Sequence, residues 1–202
     1  MGSPPAPSGR LRAISVGRLA PQKGFDRLID AFARIQTDVA DWDLVIVGEG
    51  ALRAQLQEQI ATHGLMHRIS LPGATQQVDY ELSRSQLYVH AARFEGFPNA
   101  IVEALHSGLC VIAMNSPGAT GELLGGGQYG MLVPEGDVGA LGAMMRGAML
   151  DDGLRTRYAL KAREALKTLS PNIIAARWIE EIERLAARSR PMTVDAEGKM
   201  TI

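Results

Sequence analysis

Cysteine is nearly absent from this chain. Cys110 stands alone among 202 residues, so no intrachain disulfide can form, and a cytoplasmic location is expected. Long apolar runs are missing too: the longest, around Leu109 to Met114, is strand-sized and falls far short of the ~20 residues that span a bilayer. Neither sign of charge prevails, with 21 basic against 22 acidic residues and a net charge of -1, which argues against nucleic acid as a partner. His63, His67 and His106 lack metal-ligand spacing and no DxD-like acidic pair is read in the chain, so no metal is expected. The opening MGSPPAPSGR has neither the charged start nor the apolar run of a signal peptide and reads as a linker over 1–10. The stretch 191–202 has no helical pattern and reads as a flexible tail.

What is there is an ordinary globular composition, 46% hydrophobic and 21% charged, in a chain long enough to bury a core. Short β-branched runs alternate with amphipathic stretches. Strands are expected at Leu11 to Val16, Asp43 to Val47, Ile69 to Leu71, Leu87 to His90, Cys110 to Met114 and Met131 to Val133. Phe25, Leu28, Ile29, Phe32 and Ile35 follow helical spacing; Leu52, Leu56 and Ile60 mark a second helix that His63-Gly64 stops. Shorter helices are expected at Tyr80 to Ser83, after Pro98 as far as Gly108, and at Thr120 to Leu124. Longer ones follow at Val138 to Leu150, Leu154 to Leu169 and Ile173 to Ala187. This alternation specifies an α/β fold with a doubly wound parallel sheet, Rossmann-like, of about six strands with flanking helices, over residues 11–190. Trp42, Trp178, Met144, Met145 and Met149 read as packing residues.

Such sheets bind ligands where strand C-terminal ends meet the next helix N-termini. After the first strand comes GRLAPQKG, which sets Arg18 and Lys23 beside a helix start, where free amides and the helix dipole favour an anion. By spacing alone an exposed loop with two solvated charges is the somewhat better fit. After the second strand, VGEG is half of a dinucleotide fingerprint without the rest, and its glycines imply close backbone approach to a neighbour. After the fourth comes RFEGFPNAIVEALHSG. Pro98 suits a first helical turn, leaving the amides of Asn99, Ala100 and Ile101 free, while Glu95 and Glu103 are placed to bond hydroxyl groups. A solvated surface position explains Glu103 equally well on pattern alone. His90 reads as a core or rim histidine.

GRLAPQKG before a helix, VGEG after the next strand, and EGFPN with a second glutamate eight residues after the first resemble family 4 of the retaining glycosyltransferases. SGLCVIAMNSPGATGELL and YGMLVPEGD extend the match, in order, from about Leu11 to Leu150. The resemblance implies one half of a GT-B fold, the C-terminal donor-binding domain over 11–190. It implies a nucleotide-sugar donor, UDP-hexose or UDP-N-acetylhexosamine, with no cofactor and side-chain cations in place of a metal. On this resemblance Arg18, Lys23 and Glu95 are the catalytic set: the two cations hold the diphosphate and Glu95 the transferred hexose. Gly17, Gly96, Phe97 and Asn99 shape the pocket, Ala100 lends an amide to phosphate, Glu103 takes the ribose hydroxyls, and Leu71 with Gly73 lie near the base. Glu122 matches a glutamate of the family and serves structure as readily as function.

Cys110 stands where the family commonly has proline, and His90-Ala91-Ala92 and Gly118-Ala119-Thr120-Gly121 also depart from its usual pattern, which leaves donor preference open. The motifs begin so early that the N-terminal acceptor-binding domain is expected to be missing and the chain alone inactive. Apolar surface near Ile173, Ile174 and Trp178 is then expected to be exposed, and any peripheral membrane association to belong to a full-length enzyme only. The EGFPN turn resembles polysaccharide and lipopolysaccharide assembly members. Two other readings are a GT-B nucleotide-sugar epimerase relative and a non-catalytic nucleotide-binding module.

Overall fold

The computed structural model of the chain describes residues 9–168, together with 179–180, 182–185, 193–194 and 200–201. Six strands, β1 (Leu11–Val16), β2 (Trp42–Val47), β3 (Ile69–Gly73), β4 (Leu87–His90), β5 (Cys110–Asn115) and β6 (Met131–Pro134), form one sheet in the order β3-β2-β1-β4-β5-β6. Every ladder in it is parallel. The expected doubly wound, Rossmann-like architecture is therefore the observed one. Between them run α1 (Phe25–Ile35), α2 (Arg53–Thr62), α3 (Val78–Ser83), α4 (Asn99–His106) and α5 (Thr120–Leu123), followed by α6 (Val138–Leu150) and α7 (Asp152–Thr168).

The strands are apolar on both faces because helices cover both. In β4, Leu87 and Val89 join the larger core, whereas Tyr88 and His90 turn to the opposite face; β5 divides Cys110, Ile112 and Met114 from Val111 and Ala113 in the same way. The larger core receives Phe25, Leu28, Ile29, Phe32 and Ile35 from α1, Leu56 and Ile60 from α2, and Leu141 and Met145 from α6. Trp42, Met145 and Met149 are buried, as packing residues should be. Gly108 (φ +71) ends α4, with Leu109 N–H donating to the Ala104 carbonyl and Gly108 N–H to that of Leu105, the paired bonds of a Schellman stop. Asp137 caps α6 by accepting from the Ala140 amide at 2.8 Å.

The tail carries a short antiparallel pair, Thr193–Val194 with Met200–Thr201. Ile173, Ile174 and Trp178 lie outside the described residues. No helix among the described residues is long and apolar enough to cross a membrane.

Candidate functional site at the switch point of the sheet

The strand order reverses between β1 and β4, the position at which open α/β sheets form a ligand crevice. The loops after these two strands are tied together there. The loop after β1 tightens into a single 3-10 turn, Pro21–Lys23, closed by Gly24 in the left-handed region (φ +66). Gly24 sits so near the end of β4 that a β-carbon would lie 2.0 Å from the Ala91 carbonyl oxygen. Arg93 completes the tie: its amide donates to the Gln22 carbonyl, one terminal nitrogen donates to the Pro21 carbonyl, and both terminal nitrogens grip Asp26 at 2.8 and 2.6 Å. That guanidinium holds the Asp26 carboxyl below its ordinary pKa.

This tie brings Lys23 and Glu95 into a direct ion pair. The lysine stem runs past Gly17, whose missing β-carbon would stand 3.4 Å from two of its methylenes. The imidazole of His90 lies beneath, Nε2 4.0 Å from Glu95 Oε2. Burial and the neighbouring Lys23 charge lower the His90 pKa to about 4, so the ring is neutral near pH 7. Glu95 is fixed from the other side by the loop after β5: its amide donates to the Pro117 carbonyl at 3.2 Å, and it forms an isolated parallel bridge with Gly118.

The VGEG glycines find their neighbour in the loop after β1. β-Carbons on Gly48 and Gly50 would lie 1.8 Å from the Gly17 carbonyl oxygen and 2.4 Å from that of Leu19. Leu19 N–H donates to the Glu49 carbonyl at 2.8 Å and Leu52 N–H to the Leu19 carbonyl at 3.0 Å. Beyond this pair, Gly73 is buried with φ +100 and accepts at its carbonyl from the Gly48 amide, while the Leu71 carbonyl accepts from Arg53. Arg53 in turn chelates Glu49 through Nε at 2.9 Å and a terminal nitrogen at 2.5 Å. Leu71 and Gly73 thus border a polar shelf on the β2 side of the crevice.

At the start of α4 the arrangement differs from the sequence expectation. Pro98 precedes the helix as its cap residue, not inside its first turn. Asn99 N–H donates to the Phe97 carbonyl at 3.1 Å and Ile101 N–H to that of Pro98 at 2.9 Å, because the backbone at Phe97-Pro98 folds back on the helix start. Of the three amides expected to be free, only that of Ala100 has no acceptor among the described residues. Glu103 is solvent-accessible and pairs with no cation among the described residues; partial burial and Asp79 raise its carboxyl pKa. Burial pushes the Tyr88 hydroxyl pKa up, and the Glu103 and Glu95 charges add to the rise. Arg18 extends into solvent with no ion-pair partner among the described residues, and Gly96, Phe97, Asn99 and Glu122 are likewise exposed.

A cavity of about 380 Å³ opens at the other end of the sheet, lined by Arg12, Asp43, Arg68, Glu81 and others. Its charges are spent internally, Arg12 on Glu81 at 2.6 Å and Arg68 on Asp43 at 3.3 Å. Asp43 also belongs to the one Asp-x-Asp stretch of the chain, Asp41-Trp42-Asp43, which the sequence reading passed over. It starts β2, at the end of the strand away from Lys23 and Glu95, where it does not meet the crevice. His63 is the C-cap residue of α2, where the sequence places the stop of that helix, and its ring also bonds Asp30 at 2.9 Å. The Arg93 and Gly118 contacts are not legible in the sequence, because both residues act through folded loops.

The six-stranded parallel sheet with flanking helices is a Rossmann-like α/β fold that matches the C-terminal half of the GT-B kind. The chain belongs to the glycosyl transferases group 1 family, whose model matches residues 2–165. It is 31% identical over 172 residues to an exopolysaccharide phosphotransferase of Streptomyces coelicolor, covering 85% of this chain and 18% of that protein. It is also 31% identical over 162 residues to the N-acetylgalactosamine-N,N'-diacetylbacillosaminyl-diphospho-undecaprenol 4-alpha-N-acetylgalactosaminyltransferase of Campylobacter jejuni, covering 80% of this chain and 44% of that one. The chain therefore spans less than half the length of these relatives. S. aureus TarM, solved with UDP, has the same fold at a TM-score of 0.79 and 21% identity, over 85% of this chain and 35% of TarM. The family is one of glycosyltransferases.

Proposed function

We propose that this domain holds a nucleotide-sugar donor, UDP-hexose or UDP-N-acetylhexosamine, for a retaining glycosyltransferase of family 4. The observation that carries the reading is the tie between the loops after β1 and β4, which gathers Lys23, Glu95, Arg18 and the free Ala100 amide at one switch point. Arg18 and Lys23 take the diphosphate, with the Ala100 amide on a phosphate oxygen; preorganised charge of this kind stabilises the leaving nucleoside diphosphate without a metal. Glu95 binds the transferred sugar and Glu103 the ribose, while Leu71 and Gly73 flank the base beside the Glu49–Arg53 pair. The UDP bound to TarM and the sugar transferase relative from C. jejuni support a uridine donor and a glycan or lipid-linked acceptor. An N-terminal domain supplies the acceptor side in a cytoplasmic enzyme, and the domain by itself does not transfer sugar.

Titration calorimetry with UDP and UDP-N-acetylglucosamine tests the division of labour. Glu103→Ala is expected to weaken both ligands alike, and Glu95→Ala to remove the difference between them without weakening UDP. Equal effects of the two substitutions on UDP itself would contradict the assignment.

A further inference from the structure

The Lys23–Glu95 pair joins two groups that the donor reading assigns to different parts of one ligand. Side-chain exposure falls from 18% for Lys23 to 12% for Glu95 and 4% for His90, so Lys23 lies outermost and His90 deepest. His90 Nε2 is fully buried and has no hydrogen-bond partner. The 4.0 Å to Glu95 Oε2 exceeds the roughly 2.7–3.2 Å of a hydrogen bond. The ring is kept in its plane by Tyr88, stacked at 6.4 Å between centroids. A buried, unpaired ring nitrogen is unfavourable and calls for an occupant of the gap.

Lys23 cannot serve its two charges equally. A diphosphate carries more negative charge than one carboxylate and draws the ammonium outward, since a lysine is a mobile point charge on a flexible stem. Glu95 is then left in a mostly buried place without its cation, about one ångström of movement from a donor N–H. We propose that His90 is a positioning residue: when a diphosphate takes Lys23, Glu95 closes on His90, and the Nε2–H holds the carboxylate in place for the sugar. The free state therefore keeps Glu95 on Lys23, and diphosphate binding hands it to His90. This rests on the donor reading for the diphosphate and on the fold alone for the His90–Glu95 contact.

Imidazole proton–nitrogen spectra of the chain test both parts, with the His90 signal assigned by its loss in His90→Gln. The titratable groups facing the ring are Lys23, Glu95 and Tyr88. In Lys23→Ala without ligand, the Nε2–H resonance is expected to move downfield and the ring pKa to rise by roughly one unit or more. Adding Glu95→Gln to that variant should remove most of the rise. UDP should produce the same downfield movement in the wild type, and Lys23→Met repeats the test with the stem retained. An unmoved resonance in Lys23→Ala and Lys23→Met, or a rise undiminished by Glu95→Gln, overturns the proposal. So does UDP that binds without moving the signal. If UDP does not bind at all, the donor reading falls, and the ligand-free variants still decide the His90 contact.

Discussion

Gly118 lies so close to Glu95 that a β-carbon there would stand 1.7 Å from the Glu95 carbonyl oxygen. Its φ of +114 is also one that other residues rarely adopt. The loop after β5 thus sets the height of the Glu95 backbone above the sheet. Gly118→Ala is expected to lower stability by ~1–3 kcal/mol and to weaken UDP-sugar more than UDP. Urea melts and calorimetry on the same preparation check both effects.

Arg93 touches no proposed ligand group, yet it ties the loops that carry Lys23 and Glu95. Its pair with Asp26 is about one-third exposed, 33% and 34%, so solvent discounts its strength, and Arg93→Ala should cost about 1 kcal/mol. Asp26 has a lowered native pKa, so the pair's stability is present above the ordinary carboxylate range and is lost as pH falls through the lowered value. Arg93→Lys should not restore the wild type, because an ammonium cannot reach both Asp26 oxygens and the Pro21 carbonyl in one plane. UDP affinity measured for both variants is expected to fall together with the melting temperature.

His90 gives stability a second pH dependence of known sign. The unfolded chain protonates it near 6.5, whereas the native chain resists until about 4. Within that window the unfolded state binds more protons, so stability falls as pH drops, by up to ~1.4 kcal/mol per pH unit. In denaturant melts from pH 7 to pH 4 the wild type should therefore lose more stability than His90→Leu. Parallel curves would contradict the buried neutral state.

Cys110 should be chemically silent in the folded protein. It begins β5 almost wholly covered, and burial pushes its thiol pKa up to about 12. Since the thiolate is the reactive form, an aromatic disulfide reagent at mild alkaline pH should modify it only upon unfolding. Rapid modification of the native chain would indicate that β5 opens.

The sheet was legible because its strands are short apolar runs and its helices carry clear stripes, such as Phe25, Leu28, Ile29, Phe32 and Ile35. Spacing also marked Lys23 and Glu95 as lying at ligand-facing loops. What it could not tell is that they touch, since 72 residues separate them and their meeting depends on Gly24, Arg93 and Gly118. The helix after Pro98 was legible; what spacing could not show is that Asn99 and Ile101 bond back to Phe97 and Pro98, which leaves fewer amides free at its start. The Gly48 and Gly50 contacts were half legible, as close approach without a named partner.

Calorimetry with UDP against uridine tests whether Arg18 and Lys23 hold a diphosphate at this switch point. The wild type is expected to bind UDP more tightly than uridine, and Arg18→Ala and Lys23→Ala each to weaken UDP by roughly tenfold or more while leaving uridine unchanged. Variants that bind UDP as well as the wild type would contradict it.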